Sequence, residues 1–126
     1  MTVLIVEDDS EMRALLRDVL EREGHRVIDR ASGKGLATLV ERERFDVVVL
    51  DKEMPGTNGL DLLAFLRHRL PAVPVVFITA FGGAAVADEA ARRGAFSYIE
   101  KPFRVSAIVD AIAGATRFTV GVKPGA

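Results

Sequence analysis

The sequence predicts a doubly wound α/β domain of the (βα)5 type, with helices on both faces of a five-stranded parallel sheet. Two kinds of apolar pattern alternate along the 126 residues. Short, uninterrupted runs of mostly β-branched residues are typical of strands buried on both faces, and the segments between them carry apolar residues at helical spacing. The alternation repeats along the chain, with about 20 to 28 residues for each strand and its helix.

Five segments are predicted to form the strands. Residues 3–6, 47–50 and 75–78 are apolar throughout, as expected of strands that helices cover on both sides. Weaker strands fit at residues 26–30 and 96–100. Crossovers between parallel strands are right-handed, which places the intervening helices on both faces of the sheet.

Stripes of apolar residues predict the helices. The first and the last helix have the clearest stripes, formed by Met12, Leu15, Leu16, Val19 and Leu20 and by Val105, Ile108, Val109 and Ile112. Stripes over residues 36–40 and 62–70 predict the second and third helices, and an alanine-rich segment predicts the fourth. Gly24, Pro71 and Gly94 mark the ends of the first, third and fourth helices.

Composition excludes several classes of function. The 17 basic and 18 acidic residues give a net charge of −1, which provides no overall attraction to nucleic acid or to an anionic membrane. The absence of cysteine excludes disulfides, thiol nucleophiles and thiolate metal sites, and two histidines are too few for a multi-histidine site. No apolar stretch approaches the roughly 20 residues that span a bilayer, and the N-terminus does not resemble a signal peptide.

A cytoplasmic domain is therefore expected. It is predicted to occupy residues 1–115, because the helical stripe of the last helix ends there. Residues 116–126 contain Gly121, Pro124 and Gly125 and are predicted to form a flexible tail or the start of a linker.

The residues that follow the carboxyl ends of the strands are the candidates for a functional site, because ligands of open parallel sheets bind at that edge. The first strand ends in Glu7-Asp8-Asp9, the third in Asp51 and the fourth in Thr79, and the fifth runs into Lys101. Two unit charges about 4 Å apart interact by about 4 kcal/mol at an effective dielectric constant of about 20. Carboxylates gathered there favour a bound cation, and a small site open to water suits Mg²⁺ better than a full Ca²⁺ cage.

Such a pocket can accept a phosphoryl group. Mg²⁺ and the Lys101 ammonium would neutralise the equatorial phosphoryl oxygens, and the Thr79 hydroxyl would donate a hydrogen bond. Asp51 is the expected nucleophile, because it ends the central strand, where it can attack in line.

Several motifs, in order along the chain, resemble the receiver domain of two-component response regulators over about residues 2–115. They are Leu4-Ile5-Val6-Glu7-Asp8-Asp9, Val49-Leu50-Asp51 with Met54-Pro55-Gly56 and Gly59, Ile78-Thr79-Ala80, and Tyr98-Ile99-Glu100-Lys101-Pro102-Phe103. The resemblance implies a CheY-like fold with the flavodoxin-like strand order 2-1-3-4-5.

The resemblance assigns roles to the acidic residues of the pocket. Asp51 corresponds to the aspartate that receives a phosphoryl group from a sensor histidine kinase. Mg²⁺ would be held by Asp8, by Asp51 and by the backbone carbonyl of Glu53, and by Glu7 through water. A domain of this family catalyses only its own phosphorylation and dephosphorylation.

A switch is implied as well. Thr79 corresponds to the hydroxyl that is drawn toward the phosphoryl group, Tyr98 to the aromatic side chain that then turns inward, and Lys101 to the lysine that pairs with the phosphoryl oxygens. The peptide bond between Lys101 and Pro102 would be cis. Phosphorylation would reorder the surface of the fourth helix, fifth strand and fifth helix, which would then pair with a second copy or act on an output domain or downstream protein. Residues 77–83 resemble receivers attached to transcriptional activators.

The acidic run after the first strand leaves open which two of its residues form the metal pair. The acidic run has three members, and we take Glu7 and Asp8 as the metal pair and Asp9 as the N-cap of the first helix.

Glu53 and Phe81 stand two residues beyond the acceptor and the switch hydroxyl. An acidic and a bulky apolar side chain at these positions should hinder or misplace the attacking water, so slow self-dephosphorylation is expected.

Other functions compete with this interpretation. A degenerate receiver would act as a protein-interaction module without phosphorylation, but the intact acceptor, acidic pair, threonine and lysine argue against it. Phosphatases of the haloacid-dehalogenase type need Asp-x-Asp-x-Thr, whereas this chain reads Asp51-Lys52-Glu53-Met54-Pro55. A flavin carrier of the flavodoxin type needs a hydroxyl-rich phosphate loop after the first strand, where the three acidic residues of this chain would repel a phosphate.

Overall fold

The computed structural model describes residues 1–121 as one parallel sheet flanked by helices, with a small hairpin beside it. The strands are β1 (Thr2–Val6), β2 (Arg26–Arg30), β3 (Val47–Asp51), β4 (Glu53–Met54), β5 (Thr57–Asn58), β6 (Val75–Thr79) and β7 (Ser97–Glu100). The helices are α1 (Ser10–Arg22), α2 (Leu36–Arg42), α3 (Gly59–Arg69), α4 (Ala84–Arg92) and α5 (Val105–Gly121). None of these helices is both long enough and apolar enough to cross a membrane.

The main sheet has the strand order β2-β1-β3-β6-β7, and every neighbouring pair is parallel. Because β6 and β7 are the fourth and fifth strands of this sheet, the predicted doubly wound fold and its order 2-1-3-4-5 are confirmed. The strand that ends in Asp51 lies at the centre of the sheet.

Strand register brings the ends of four strands to the same level. Val6 pairs with Leu50, Asp51 pairs with Ile78, and Thr79, the last residue of β6, pairs with Glu100. The residues just beyond β1 and β7 therefore reach the same edge of the sheet as Asp51 and Thr79. This edge is the one at which a ligand site was expected.

The three apolar strands are buried on both faces, as their sequences predict. All residues of β3 and β6 are buried, and only the first residue of β1 is partly exposed. One core, on the side of α2, α3 and α4, contains Leu4, Val6, Leu36, Val40, Leu63, Leu66, Phe77 and Ala90. The other, on the side of α1 and α5, contains Val3, Ile5, Leu16, Leu20, Val76, Ile108 and Ile112. The period of two along each strand divides its side chains between the two cores.

The ends of the helices agree with the capping residue and the glycines that were predicted from the sequence. Asp9 caps α1: its side chain accepts hydrogen bonds from the backbone N–H groups of Glu11 and Met12 at 2.9 and 3.2 Å. Gly24 and Gly94 follow α1 and α4 with φ angles of 91° and 94°, a left-handed conformation that glycine adopts without steric cost.

Two local features differ from the prediction. The hairpin of β4 and β5 has two residues in each strand, too few to show any periodicity. Helix α5 continues to Gly121, past the predicted start of the tail at residue 116. The β-branched residues after Ala115 lower helix propensity only modestly, and a helix that has already formed is extended at small cost. Residues 122–126 of the predicted tail lie outside the described residues.

Candidate functional site

The residues predicted for the site come together at the carboxyl edge of the sheet. Among the residues whose burial is described, the buried polar or charged ones are Glu7, Asp51 and Thr79, exposed by 1, 1 and 0% respectively. Ionisable groups are rarely buried in this way without a compensating partner. The three least solvated polar side chains of the described chain thus coincide with three residues predicted from sequence.

Three carboxylates form a compact acidic cluster. Glu7, Asp8 and Asp51 each offer an oxygen atom, and these atoms all lie within 4.8 Å of one another, with Asp8 exposed to solvent. Burial, together with the neighbouring Asp51 carboxyl, raises the pKa of Glu7 to about 7. Burial also raises the pKa of Asp51, although Glu7 and Lys101 act in the opposite direction.

This cluster fits a divalent cation. The donors are hard oxygen atoms, one of them open to water, which is the set that Mg²⁺ prefers. Burial raises the pKa of both carboxyl groups, and the neighbouring Asp51 raises that of Glu7 further, which expresses the cost of holding negative charge out of water. A bound cation would remove that cost.

Lys101 reaches into the cluster from the loop after β7. Its Nζ atom lies 3.2 Å from Oε1 of Glu7 and 3.3 Å from Oδ1 of Asp51. Burial alone would lower the pKa of Lys101, but the charges of Asp51 and Glu7 raise it above its ordinary value. The side chain is therefore a fixed positive charge beside Asp51. The peptide bond between Lys101 and Pro102 is cis, as the resemblance implies.

The Thr79 hydroxyl has a partner that sequence patterns do not indicate. It donates a hydrogen bond to Oε2 of Glu53, and Oε1 of the same carboxylate accepts the backbone N–H of Ala80 at 2.7 Å. Lys52 Nζ lies 3.3 Å from Oε2. Burial alone would raise the pKa of Glu53, but the hydrogen bonds from Ala80, Thr79 and Lys52 outweigh it and lower the pKa. The only hint in the sequence is that Glu53 stands two residues after Asp51.

Tyr98 lies on β7 with its ring against the core that α2, α3 and α4 cover. Its hydroxyl oxygen is buried and lies against the loop after β6, where a Cβ atom added to Gly82 would come within 2.1 Å of it. Burial, and then the negative charge of Glu100, raises the pKa of the phenol. Tyr98 is therefore packed against the loop that follows Thr79.

The loop that carries Glu7 and Asp8 is fixed by Arg13, which lies outside the motifs, and by Asp9. Arg13 of α1 donates to the backbone carbonyls of Glu7 and Asp8 at 2.8 and 3.3 Å and pairs with Asp29 of β2 at 3.7 Å. The backbone N–H of Asp9 donates to Oε2 of Glu7 at 3.2 Å. Because the side chain of Asp9 is engaged with the first turn of α1, Glu7 and Asp8 remain to face Asp51.

Comparison with known proteins decides the family. A model described as the response regulator receiver domain matches residues 3–113. The chain belongs to this family.

Two curated relatives differ greatly in length from each other. Response regulator protein FleR of Pseudomonas aeruginosa is 40% identical over 123 residues, which are 98% of this chain and 25% of FleR. Sporulation initiation phosphotransferase F of Bacillus subtilis is 33% identical over 110 residues, which are 87% of this chain and 89% of that protein. The chain thus spans about a quarter of one relative and most of the other.

Solved structures of receiver domains superpose closely on this one. The CheY-like receiver domain protein of Methanospirillum hungatei JF-1 gives a TM-score of 0.90 at 26% identity, covering 97% of this chain and 98% of that one. The beryllofluoride-activated NtrC4 receiver domain dimer gives a TM-score of 0.88 at 29% identity, covering 94% and 98%.

Proposed function

We propose that this receiver domain accepts a phosphoryl group on Asp51 from a sensor histidine kinase. The observation that carries the proposal is the setting of the Asp51 carboxylate, which is buried at the end of the central strand with a lysine ammonium 3.3 Å from Oδ1. A nearby positive charge stabilises the phosphoryl oxygens while the carboxylate attacks, and Lys101 provides it.

In the transfer, an Asp51 carboxylate oxygen forms a bond to phosphorus while the bond from phosphorus to the kinase histidine breaks. The electron pair of the broken bond returns to the imidazole nitrogen. Lys101 favours the ionised form of Asp51 and then pairs with the phosphoryl oxygens, which gives electrostatic stabilisation. The domain itself catalyses only its own phosphorylation and dephosphorylation.

We propose Mg²⁺ as the cofactor. Asp8, Asp51 and the backbone carbonyl of Glu53 would hold it, and Glu7 would contribute through water. When bound, the ion neutralises the charge on the phosphoryl oxygens. The close approach of the Glu7, Asp8 and Asp51 oxygens supports this set of ligands.

The output is proposed to be a change of the surface formed by α4, β7 and α5. Thr79 would move toward the phosphoryl group, and Tyr98, whose hydroxyl is already buried against the loop after Thr79, would repack with that loop. The altered surface would pair with a second copy or act on an output domain or downstream protein. One neighbour is described as a receiver dimer, and a curated relative is a transcriptional regulatory protein. We therefore propose transcription regulation in the cytoplasm as the setting.

The phosphoryl group is proposed to be long-lived. Phe81, two residues after the switch hydroxyl, is 72% exposed, and the Glu53 side chain lies beside Thr79. A bulky apolar and an acidic side chain at these two positions would hinder or misplace the water that attacks the phosphoryl group. Decay followed by intact mass after removal of the donor measures the lifetime, and a half-life of seconds would contradict the proposal.

The experiment that tests the proposed function is intact mass after incubation with acetyl phosphate and Mg²⁺. Asp51→Asn and an incubation with EDTA are the controls. A Mg²⁺-dependent gain of one phosphoryl group that is lost in the variant is expected. Phosphate incorporated by Asp51→Asn would overturn the assignment of the acceptor, and no gain under any condition would favour an interaction module that works without phosphorylation.

A further inference from the structure

We propose that the Glu53 carboxylate holds the Thr79 hydroxyl in the resting domain and competes for it with the phosphoryl group on Asp51. Glu53 is thus a positioning residue that sets how readily the domain switches. The inference rests on the proposed function, because it concerns the same switch.

The contacts of Glu53 form a clamp on the end of β6. One carboxylate oxygen accepts the Thr79 hydroxyl and the other accepts the Ala80 backbone N–H at 2.7 Å. Two consecutive residues are therefore bound by one side chain. Hydrogen bonds to an ionised acceptor are stronger than those between neutral groups, so the clamp favours the conformation in which Thr79 faces Glu53.

The clamp is also connected to the acceptor. Glu53 lies two residues after Asp51, and its backbone N–H is 3.4 Å from Oδ1 of Asp51. Its side chain is 26% exposed and pairs with Lys52. Lys52 can keep the carboxylate as a partner after Thr79 has left, so release of the hydroxyl does not leave Glu53 unpaired.

Competition follows from the chemistry of the threonine hydroxyl. A hydroxyl has one hydrogen to donate, and in this structure Thr79 donates it to Glu53. Its lone pairs remain free to accept, and one accepts the Phe81 N–H at 3.1 Å. A hydrogen bond from Thr79 to a phosphoryl oxygen therefore requires that the bond to Glu53 break.

This competition has a measurable consequence. A ligand shifts the equilibrium between the resting and active conformations only by its differential affinity for them. A contact made only in the resting conformation therefore lowers the apparent affinity for a ligand that binds the active one. Loss of a hydrogen bond to a charged group changes an equilibrium constant about tenfold. Removal of the Glu53 side chain should therefore strengthen binding of a phosphoryl analogue about tenfold.

The test is a titration of the full chain with beryllium fluoride in the presence of Mg²⁺, followed by calorimetry. Wild type, Glu53→Ala, Thr79→Val and the double variant form a thermodynamic cycle. Loss of the Glu53 charge acts in both backgrounds, whereas the hydrogen bond exists only when Thr79 is present. Glu53→Ala should therefore improve the affinity much more in the Thr79 background than in Thr79→Val.

Two further readouts separate a clamp from a general effect on structure. Glu41→Ala removes an exposed carboxylate that pairs with Arg69 and should leave the affinity unchanged. The amide proton of Ala80 reports the clamp directly by NMR. It should shift when the analogue is added to the wild type, and in Glu53→Ala it should already be close to its analogue-bound position.

Failure of the inference and failure of the proposed function have different signatures. If the wild type does not bind the analogue, the proposed function is wrong and this inference falls with it. If the wild type binds the analogue but Glu53→Ala binds it no more tightly, the clamp alone is overturned. The same holds if Glu53→Ala raises the affinity equally in the Thr79 and Thr79→Val backgrounds. An Ala80 amide resonance that is unmoved by Glu53→Ala would also overturn it.

Discussion

At the scale of single residues, the site is a balance of buried charges. Glu7 and Asp51 are almost fully buried, and the ammonium of Lys101 lies 3.2 and 3.3 Å from their oxygens. Removing one partner of a buried ion pair leaves the other charge uncompensated, which costs more than the pair contributes. Each member of the group therefore controls the ionisation of the others.

Lys101→Ala should separate acceptance from transmission. Without the ammonium, the Asp51 carboxylate can still attack, so phosphorylation by acetyl phosphate should persist at a reduced level. The phosphoryl oxygens would lose their fixed partner, so the switch should fail. Intact mass measures the first effect, and the emission of Tyr98, the single tyrosine of a chain without tryptophan, measures the second. A full emission response in phosphorylated Lys101→Ala would contradict the role of the lysine.

Gly82→Ala should displace Tyr98. A Cβ atom at Gly82 would come within 2.1 Å of the tyrosine hydroxyl, so the ring must move away from the loop. The phenol should become more accessible to a soluble quencher of its emission. Gly33→Ala is the matched control, because its Cβ atom would make ordinary contacts at 3.6 Å. Equal quenching in wild type and Gly82→Ala would show that the ring does not rest against this loop.

At the scale of the elements, the strands were predictable and their long-range contacts were not. Uninterrupted apolar runs give β1, β3 and β6 because burial on both faces leaves no polar alternation. The bond between Glu53 and Thr79 joins residues that are 26 positions apart, and only the pairing of β3 with β6 makes them neighbours. A motif indicates which residues share an edge of the sheet, but the partner of each hydroxyl depends on side-chain packing.

Asp9→Ala should weaken α1 and leave the chemistry intact. Its carboxylate caps the helix, and loss of such a cap costs about 1 kcal/mol of the free energy of unfolding. Urea denaturation measures this loss. Mg²⁺-dependent phosphorylation should persist in Asp9→Ala and disappear in Asp8→Ala. The opposite result would mean that the metal pair includes Asp9.

At the scale of the whole molecule, the fold carries an electrostatic cost that a cation would relieve. Residues from the ends of β1, β3 and β7 converge on the cluster, so a ligand that binds there ties the centre of the sheet to its β7 edge. A ligand that binds only the folded chain stabilises it in proportion to the logarithm of its concentration over Kd. Binding of the metal should therefore stabilise the folded domain as a whole.

Mg²⁺ should raise the stability of the domain by about 2.7 kcal/mol at a concentration 100 times its Kd. The unfolded chain does not hold the two carboxylates close together, so Mg²⁺ binds the folded domain in preference to the unfolded chain. Thermal unfolding with Mg²⁺ and with EDTA measures the difference as a shift in Tm. Asp8→Ala should abolish the shift, and identical Tm values for the wild type in both conditions would contradict the proposed metal site.

The distance along the chain between the two ends of the pocket has a consequence for synthesis. Glu7 and Lys101 are separated by 94 positions yet share a hydrogen bond. A nascent polypeptide already carries its acidic residues and its acceptor long before the lysine leaves the ribosome. An unfinished molecule therefore lacks the lysine that pairs with the phosphoryl oxygens, so phosphorylation of Asp51 can act on the surface of α4, β7 and α5 only after the last strand has joined the sheet.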